Sequence, residues 1–149
     1  MRAEDQFHTG VVVDDLDAAL TKFSELFGYR WSDAFEGRVQ VWLPDGEQEV
    51  QLRFVYSRTF PRVEVIQAID GTVWVPGAGS GIHHLGYWSD DVERDARRLE
   101  ARGYVREALG RAGNGPAPWS YHRAPGGFRV ELVDRALQPM LERFWSDET

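Results

Sequence analysis

The sequence of 149 residues contains no cysteine. This absence excludes disulfides, thiolate nucleophiles and cysteine-ligated zinc, and it leaves imidazole and carboxylate groups as the available strong metal ligands. There is also no low-complexity tract. A chain of this length predicts one domain, residues 1–149, that is large enough to bury a substantial core.

Positive charge is neither abundant nor clustered. The chain carries 17 Lys and Arg against 24 Asp and Glu, which gives a formal net charge of −7. Nucleic acids and anionic membranes attract clustered Lys and Arg, so we expect neither as a partner. No apolar run approaches the roughly 18 residues of a membrane span, and the opening residues MRAEDQFH lack the apolar segment of a signal peptide. We therefore expect a cytoplasmic protein.

What the chain does contain is an internal repeat. Residues 7–16 read FHTGVVVDDL, and residues 81–92 read GIHHLGYWSDDV. A second match, RVEVI in the first half and RVELV in the second, closes each half of the chain. The aligned functional positions are His8 with His84, Gly10 with Gly86, Asp14-Asp15 with Asp90-Asp91, and Glu64 with Glu131.

Each half of the chain has the pattern of a βαβββ module. Alternating and β-branched runs indicate strands, while apolar residues at three- and four-residue steps after each Asp-Asp pair indicate a helix. We predict module one over about 6–70, a Gly- and Pro-rich linker over 71–81, module two over about 82–134, and a C-terminal amphipathic helix over about 136–146. The fold class is thus α+β, with two modules pairing into an open, curved eight-stranded mixed sheet with helices outside.

Strand alternation places the repeated residues on one face of this sheet. His8 shares a face with Gly10, and His84 shares a face with Gly86, whereas His83 should point the other way. Paired about a pseudo-twofold axis, the modules would bring two histidines and two glutamates to one point. Buried carboxylates cost several kcal/mol unless they are paired or coordinated, so a divalent cation would stabilise this group. The two glycines leave room beside it.

The paired His-x-Gly-x-x-x-Asp-Asp openings, the segment GIHHLGYW and the paired Arg-Val-Glu closings resemble the vicinal oxygen chelate superfamily, over about residues 6–134. The resemblance is nearest to the glyoxalase and methylmalonyl-CoA epimerase branch. It implies that the concave sheet face binds one divalent ion, Ni, Zn, Co, Mn or Fe, with four protein ligands: His8, Glu64, His84 and Glu131.

Three functions are compatible with this ligand set. The leading one is a metal-dependent lyase or isomerase acting on a small oxygen-chelating carbonyl substrate through a metal-stabilised enolate, with Glu64 or Glu131 as the catalytic base. An Fe(II) extradiol-type dioxygenase would use His8, His84 and Glu131, but Glu64 would then occupy a position that this triad leaves open. The third is a non-catalytic binding or resistance protein for an aromatic small molecule.

Several other residues are candidates for contacts with a small-molecule substrate. Aromatic side chains could form a pocket wall, and arginines could anchor a carboxylate or phosphate; Arg123 and Arg129 are further candidates for the second role. We also expect a homodimer. The predicted substrate-binding residues are Trp88, Tyr121, His122, Arg53 and Phe54.

Overall fold

The protein is described here by a computed structural model over residues 1–146. Strands and helices follow one another in the predicted order. Short 3-10 helices precede the first strand and the last helix, at Ala3–Asp5 and Arg135–Leu137. The elements are β1 (Gln6–Val13), α1 (Leu16–Phe27), β2 (Phe35–Leu43), β3 (Gly46–Tyr56), β4 (Val63–Gln67), β5 (Ile82–Ser89), α2 (Val92–Glu100), β6 (Val105–Arg111), β7 (Trp119–Arg123), β8 (Arg129–Asp134) and α3 (Gln138–Trp145).

The repeated Asp-Asp pairs set the starts of the two long helices. In each pair the second residue is the N-cap: the side chain of Asp15 accepts a hydrogen bond from the backbone N–H of Ala18, and Asp91 accepts one from Arg94. These bonds satisfy backbone donors that a helix leaves free in its first turn. Gly28 ends α1 with a φ of 70°, a left-handed conformation that glycine adopts without a steric penalty.

The predicted eight-stranded mixed sheet is confirmed, in the order β1-β4-β3-β2-β6-β7-β8-β5. Within each module the first and last strands are parallel neighbours, β1 with β4 and β5 with β8. The modules meet along two antiparallel seams, β1 with β5 and β2 with β6. The second seam closes the sheet on itself, where the sequence predicted an open sheet, and both modules belong to the same chain.

Side chains separate cleanly between the inside and the outside of the closed sheet. Val12, Val41 and Ile66 belong to a cluster in the interior, whereas α1 and α2 cover the outer surface. Leu16 of α1 packs on strand residues of module one, and Ala96 of α2 packs on strand residues of module two. The helices therefore lie outside the sheet, as predicted, and leave its interior free for a site.

The C-terminal helix α3 packs over the inside of the sheet. Its Trp145 is buried against Tyr56, Trp88 and Val133. Burying a large apolar side chain stabilises a fold by about 1.5–3 kcal/mol, so this contact contributes to holding α3 against the sheet. In residues 1–146, no helix is long and apolar enough to cross a membrane.

Candidate metal centre

Strand register brings the four predicted ligands together. Gly10 on β1 is paired with Glu64 on β4 at one side and with His84 on β5 at the other. Gly86 on β5 is paired in the same way with His8 and Glu131. Directly paired residues project from the same face of a sheet. Two rows, each with a glycine between a histidine and a glutamate, thus face the interior.

Ring nitrogens and carboxylate oxygens converge on one point. The Nε2 atom of His8 lies 3.0 Å from Oε2 of Glu131 and 3.4 Å from Oε2 of Glu64. The Nε2 atom of His84 lies 3.2 Å from each of the same two oxygens. Two ligands bonded to a metal at about 2.1 Å and at right angles are about 3 Å apart. The spacing of these four atoms is therefore that of neighbouring metal ligands.

The chemistry of this cluster calls for a cation. His8 and His84 are 1% exposed, Glu64 is 5% exposed and Glu131 is 7% exposed. The buried Oε2 atoms of Glu64 and Glu131 have no hydrogen-bond partner in the described chain. Such oxygens cost free energy unless a positive charge lies beside them. The four residues form a buried group that could hold a metal ion, and the residues present fit one.

The pKa shifts in the cluster indicate the same need for positive charge. Burial alone would lower the pKa of His8, but the carboxylates of Glu131 and Glu64 outweigh burial and raise this pKa to about 9. Burial would raise the pKa of both glutamates, yet the imidazoles of His8 and His84 beside the carboxylates hold each pKa below its ordinary value. Both glutamates are thus ionised at neutral pH, and a proton on His8 competes with any metal ion.

The two glycines give each histidine its space. A Cβ atom added at Gly10 would stand 1.9 Å from Cε1 of His84, and a Cβ atom at Gly86 would stand 1.9 Å from Cε1 of His8. The sequence predicted that these glycines leave room at the site. The structure shows that each one leaves room for the histidine of the other module.

His83 does not belong to the cluster, but it sets the orientation of His84. Its Nε2 lies 2.7 Å from the carbonyl oxygen of Val73, and its Nδ1 lies 2.9 Å from Nδ1 of His84. A carbonyl only accepts, so His83 Nε2 carries the hydrogen. Burial lowers the pKa of His83 to about 4, so the ring is neutral and its Nδ1 accepts from His84. This bond fixes the orientation of the His84 ring, whose Nε2 faces the cluster.

We expected His83 to point away from the face that carries His84, and its ring contacts the linker between the modules. Its ring also lies against Tyr121, with 5.7 Å between the centroids. Sequence reasoning missed this orienting role because Val73 is ten residues away, in a segment without a regular pattern. The doublet His83-His84 was the available signal.

A cavity of about 260 Å³ adjoins the cluster, and Glu64 and Glu131 form part of its wall. Phe54 and Tyr121, both predicted to contact a substrate, line it. Burial and the nearby carboxylates raise the pKa of Tyr121 and Tyr56, so both phenols are neutral. Other aromatic side chains complete the wall: Phe35, Tyr56, Trp74 and Trp119.

Helix α3 forms the remaining wall of the cavity. The sequence predicted an amphipathic C-terminal helix, and its apolar face was the signal for a covering role. That it covers the cavity could not be predicted, because nothing in the sequence fixes where the helix folds back. The residues it contributes, with the preceding turn, are Leu137, Met140, Leu141 and Phe144.

Arg53 and His122 lie outside this cavity, which corrects the expectation that they contact a ligand there. Arg53 is ion-paired on the outer surface with Glu36 and Asp17. The Nε2 atom of His122 lies 2.8 Å from Oγ of Ser120, on the side of β7 that faces α2. In both cases the neighbouring residue, Phe54 or Tyr121, faces inward, so strand alternation turns these side chains outward.

Three further candidates also lie away from the cavity wall. Trp88 stacks on Phe7, with 3.7 Å between the ring centroids, and packs under Trp145 at the end of the sheet. Arg123 and Arg129 both form ion pairs with Glu107. These residues therefore support the structure around the site without lining it.

Sequence comparison places the chain in a family. The glyoxalase/bleomycin resistance protein/dioxygenase superfamily model matches residues 7–121, and the protein belongs to this superfamily. The uncharacterised protein YwbC of Bacillus subtilis strain 168 is 25% identical over 131 residues, which cover 86% of this chain and 95% of YwbC.

Solved structures share the fold at low sequence identity. The methylmalonyl-CoA epimerase of Mycobacterium tuberculosis is similar with a TM-score of 0.60 and 20% identity, over 92% of this chain and 91% of the epimerase. A methylmalonyl-CoA epimerase in complex with methylmalonyl-CoA and NH4+ has a TM-score of 0.58 and 17% identity, over 89% of this chain and 94% of that chain. The hypothetical protein BH1468 of Bacillus halodurans C-125 has a TM-score of 0.59 and 12% identity, over 87% of this chain and 93% of BH1468.

Proposed function

We propose that this protein is a divalent-metal-dependent isomerase or lyase of the glyoxalase and epimerase type, acting on a small carbonyl compound with two neighbouring oxygens. One observation carries the proposal. Two imidazole nitrogens and two carboxylate oxygens lie within 4.8 Å of one another, and the two carboxylates also line the cavity. A purely structural cluster would have no reason to border an apolar cavity of ligand size.

His8, Glu64, His84 and Glu131 would hold the ion. A bound divalent ion acts as a Lewis acid that draws charge from neighbouring substrate oxygens. The protein residues do the rest: one glutamate, Glu64 or Glu131, takes the proton from the carbon beside the carbonyl and returns it. Both carboxylates are ionised, as this step requires, and both border the cavity. The apolar wall excludes water that would otherwise compete for the proton.

The other two candidate functions are distinguished by direct measurements. An extradiol-type dioxygenase leaves metal positions open that the fourth ligand, Glu64, would fill here. Anaerobic loading with Fe(II) followed by oxygen uptake on catechols tests this alternative. A binding or resistance protein is supported by the aromatic wall and would not need the metal.

The proposal is tested first by metal content. We expect one divalent ion per chain that resists dialysis, and loss of that ion in Glu131→Ala. Loaded protein in D2O should then exchange the α-protons of 2-hydroxyketones, followed by NMR, and either Glu64→Gln or Glu131→Gln should abolish the exchange while the metal is retained. A protein that retains no metal contradicts the proposal and favours a binding function. The homodimer and the cytoplasmic location stay predictions from the sequence.

A further inference from the structure

No cationic side chain of residues 1–146 lines the cavity beside the cluster. Among the described residues, its wall contains no Lys, Arg or His, and its only ionised groups are Glu64 and Glu131. The remaining polar atoms belong to the neutral phenols and indoles of aromatic residues. A bound divalent ion would balance the two carboxylates and leave no positive charge for a substrate tail.

Arginines near the interior of the fold already have partners. Arg129 forms an ion pair with Glu107 and donates to the carbonyl oxygen of His83. The guanidinium of Arg62 stacks over the ring of Trp145 at 4.0 Å and donates to the carbonyl oxygen of Ser57. Recruiting either arginine would break buried contacts, so neither is available to a carboxylate or a phosphate.

The size of the cavity limits the substrate further. An apolar cavity of about 150 Å³ accommodates benzene, and this cavity measures about 260 Å³. One substituted ring or two fused rings therefore fit, whereas a nucleotide or a peptide conjugate does not. The aromatic wall suits ring faces and edges, which pack at centroid distances of about 4.5–7 Å.

We propose that the substrate is an uncharged molecule of one or two rings that carries two neighbouring oxygens, such as an aromatic 2-hydroxyketone, and not a charged conjugate such as a coenzyme A thioester. The two oxygens rest on the proposed function, since they are assigned to the metal. The uncharged ring rests on the cavity alone.

Three probes separate these features in titrations of the Zn2+-loaded protein. Binding is followed by the change in tryptophan fluorescence, to which Trp74 and Trp119 of the cavity wall contribute. 2-Hydroxyacetophenone has the oxygens and a neutral ring, 4-(hydroxyacetyl)benzoate adds a carboxylate at the far end of that ring, and hydroxyacetone lacks the ring. We expect 2-hydroxyacetophenone to bind at least ten-fold more tightly than either of the others. Equal binding of the benzoate, or of hydroxyacetone, overturns the inference.

Repeating the titrations after metal removal separates this inference from the proposed function. If the metal-free protein still binds the neutral ring most tightly, and if metal does not change the affinity for 2-hydroxyacetophenone, the cavity assignment stands and the metal-dependent function fails. If metal strengthens the binding of all three probes but the three bind with the same affinity, the function is supported and the inference is wrong.

A designed cation provides a second test. Met140 is 50% exposed at the α3 edge of the cavity, so Met140→Arg places a positive charge there with little disturbance of the fold. We expect this variant to bind the benzoate probe at least ten-fold more tightly than the unmodified protein does. Gln138→Arg is the matched control, because Gln138 lies on the same helix but lines a different groove. An equal gain in both variants overturns the inference.

Discussion

Replacing Gly10 in module one by alanine should disrupt the candidate metal site, because the added Cβ atom would displace His84 of module two. The added Cβ atom would lie 1.9 Å from Cε1 of His84, where ordinary contacts are 3.4–4 Å. The ring must therefore retreat by about 1.5 Å, and such overpacking costs about 1–3 kcal/mol. Metal ligand distances tolerate deviations of only about 0.2 Å, so the displaced ring cannot remain a ligand.

The expected result is a folded protein with a large loss of metal affinity. Changing an outer hydrogen-bond partner of a ligand costs about 10–100-fold, so displacing the ligand itself should cost at least about 100-fold. Isothermal titration with Zn2+ measures the affinity, and urea denaturation of the metal-free protein measures stability. Gly126→Ala is the matched control, because a Cβ atom there meets nothing within 4 Å.

A double variant tests whether the cause is steric. In the His84→Ala background the ring is gone, so Gly10→Ala should then leave the free energy of unfolding close to unchanged, since glycine is a poor strand residue and the added methyl group meets no ring. Full metal affinity in Gly10→Ala would refute the reasoning. The reasoning would also be refuted if Gly10→Ala lowered the free energy of unfolding by the same amount with the His84 ring present and with it absent.

Three further predictions concern other parts of the site and its support. Saturating Zn2+, at about 100 times the dissociation constant, should stabilise the protein against urea by about 2.7 kcal/mol, and Glu131→Ala should lose this stabilisation. His83→Leu should lower Zn2+ affinity by about 10–100-fold in isothermal titration, and His83→Asn, which retains an acceptor near Nδ1, should recover part of the loss; equal affinities would contradict the orienting role. Burial and the charge of Arg106 lower the pKa of His122 to about 4. Between pH 6.5 and about 4, His122 is therefore protonated only in the unfolded chain, so the folded state should lose stability as the pH falls through this range. His122→Gln should remove about 3 kcal/mol of that pH dependence, measured by urea denaturation across the range, and an unchanged pH profile would contradict the assignment.

Local patterns in the sequence were enough to predict the modules and their strands and helices. The repeat around His8 and His84 predicted two equivalent modules, and the alternation of β1 and β5 predicted which face their histidines occupy. This worked because the periodicity of a strand or helix is encoded in neighbouring residues. The closings around Glu64 and Glu131 added the other half of the cluster in the same way.

Where two candidate residues are adjacent on one strand, the sequence was insufficient to show which of them faces the interior. Arg53 and Phe54, or Tyr121 and His122, cannot both face the interior, and composition alone did not choose between the members of each pair. The choice depends on how each strand pairs with its neighbours. β6 and β7, for example, pair with a register irregularity between Arg106 and Ala108.

Contacts between distant segments were decided only by the tertiary structure. The pairing of β2 with β6 closes the sheet, the carbonyl oxygen of Val73 holds His83, and α3 completes the cavity wall. Each of these contacts joins segments that are distant in the sequence, and the sequence pattern of each segment is compatible with several packing partners. The sequence by itself therefore determined the four residues of the cluster and the modules that carry them. The folded chain decided the shape and polarity of the cavity beside them, because those properties depend on which apolar surfaces pack together.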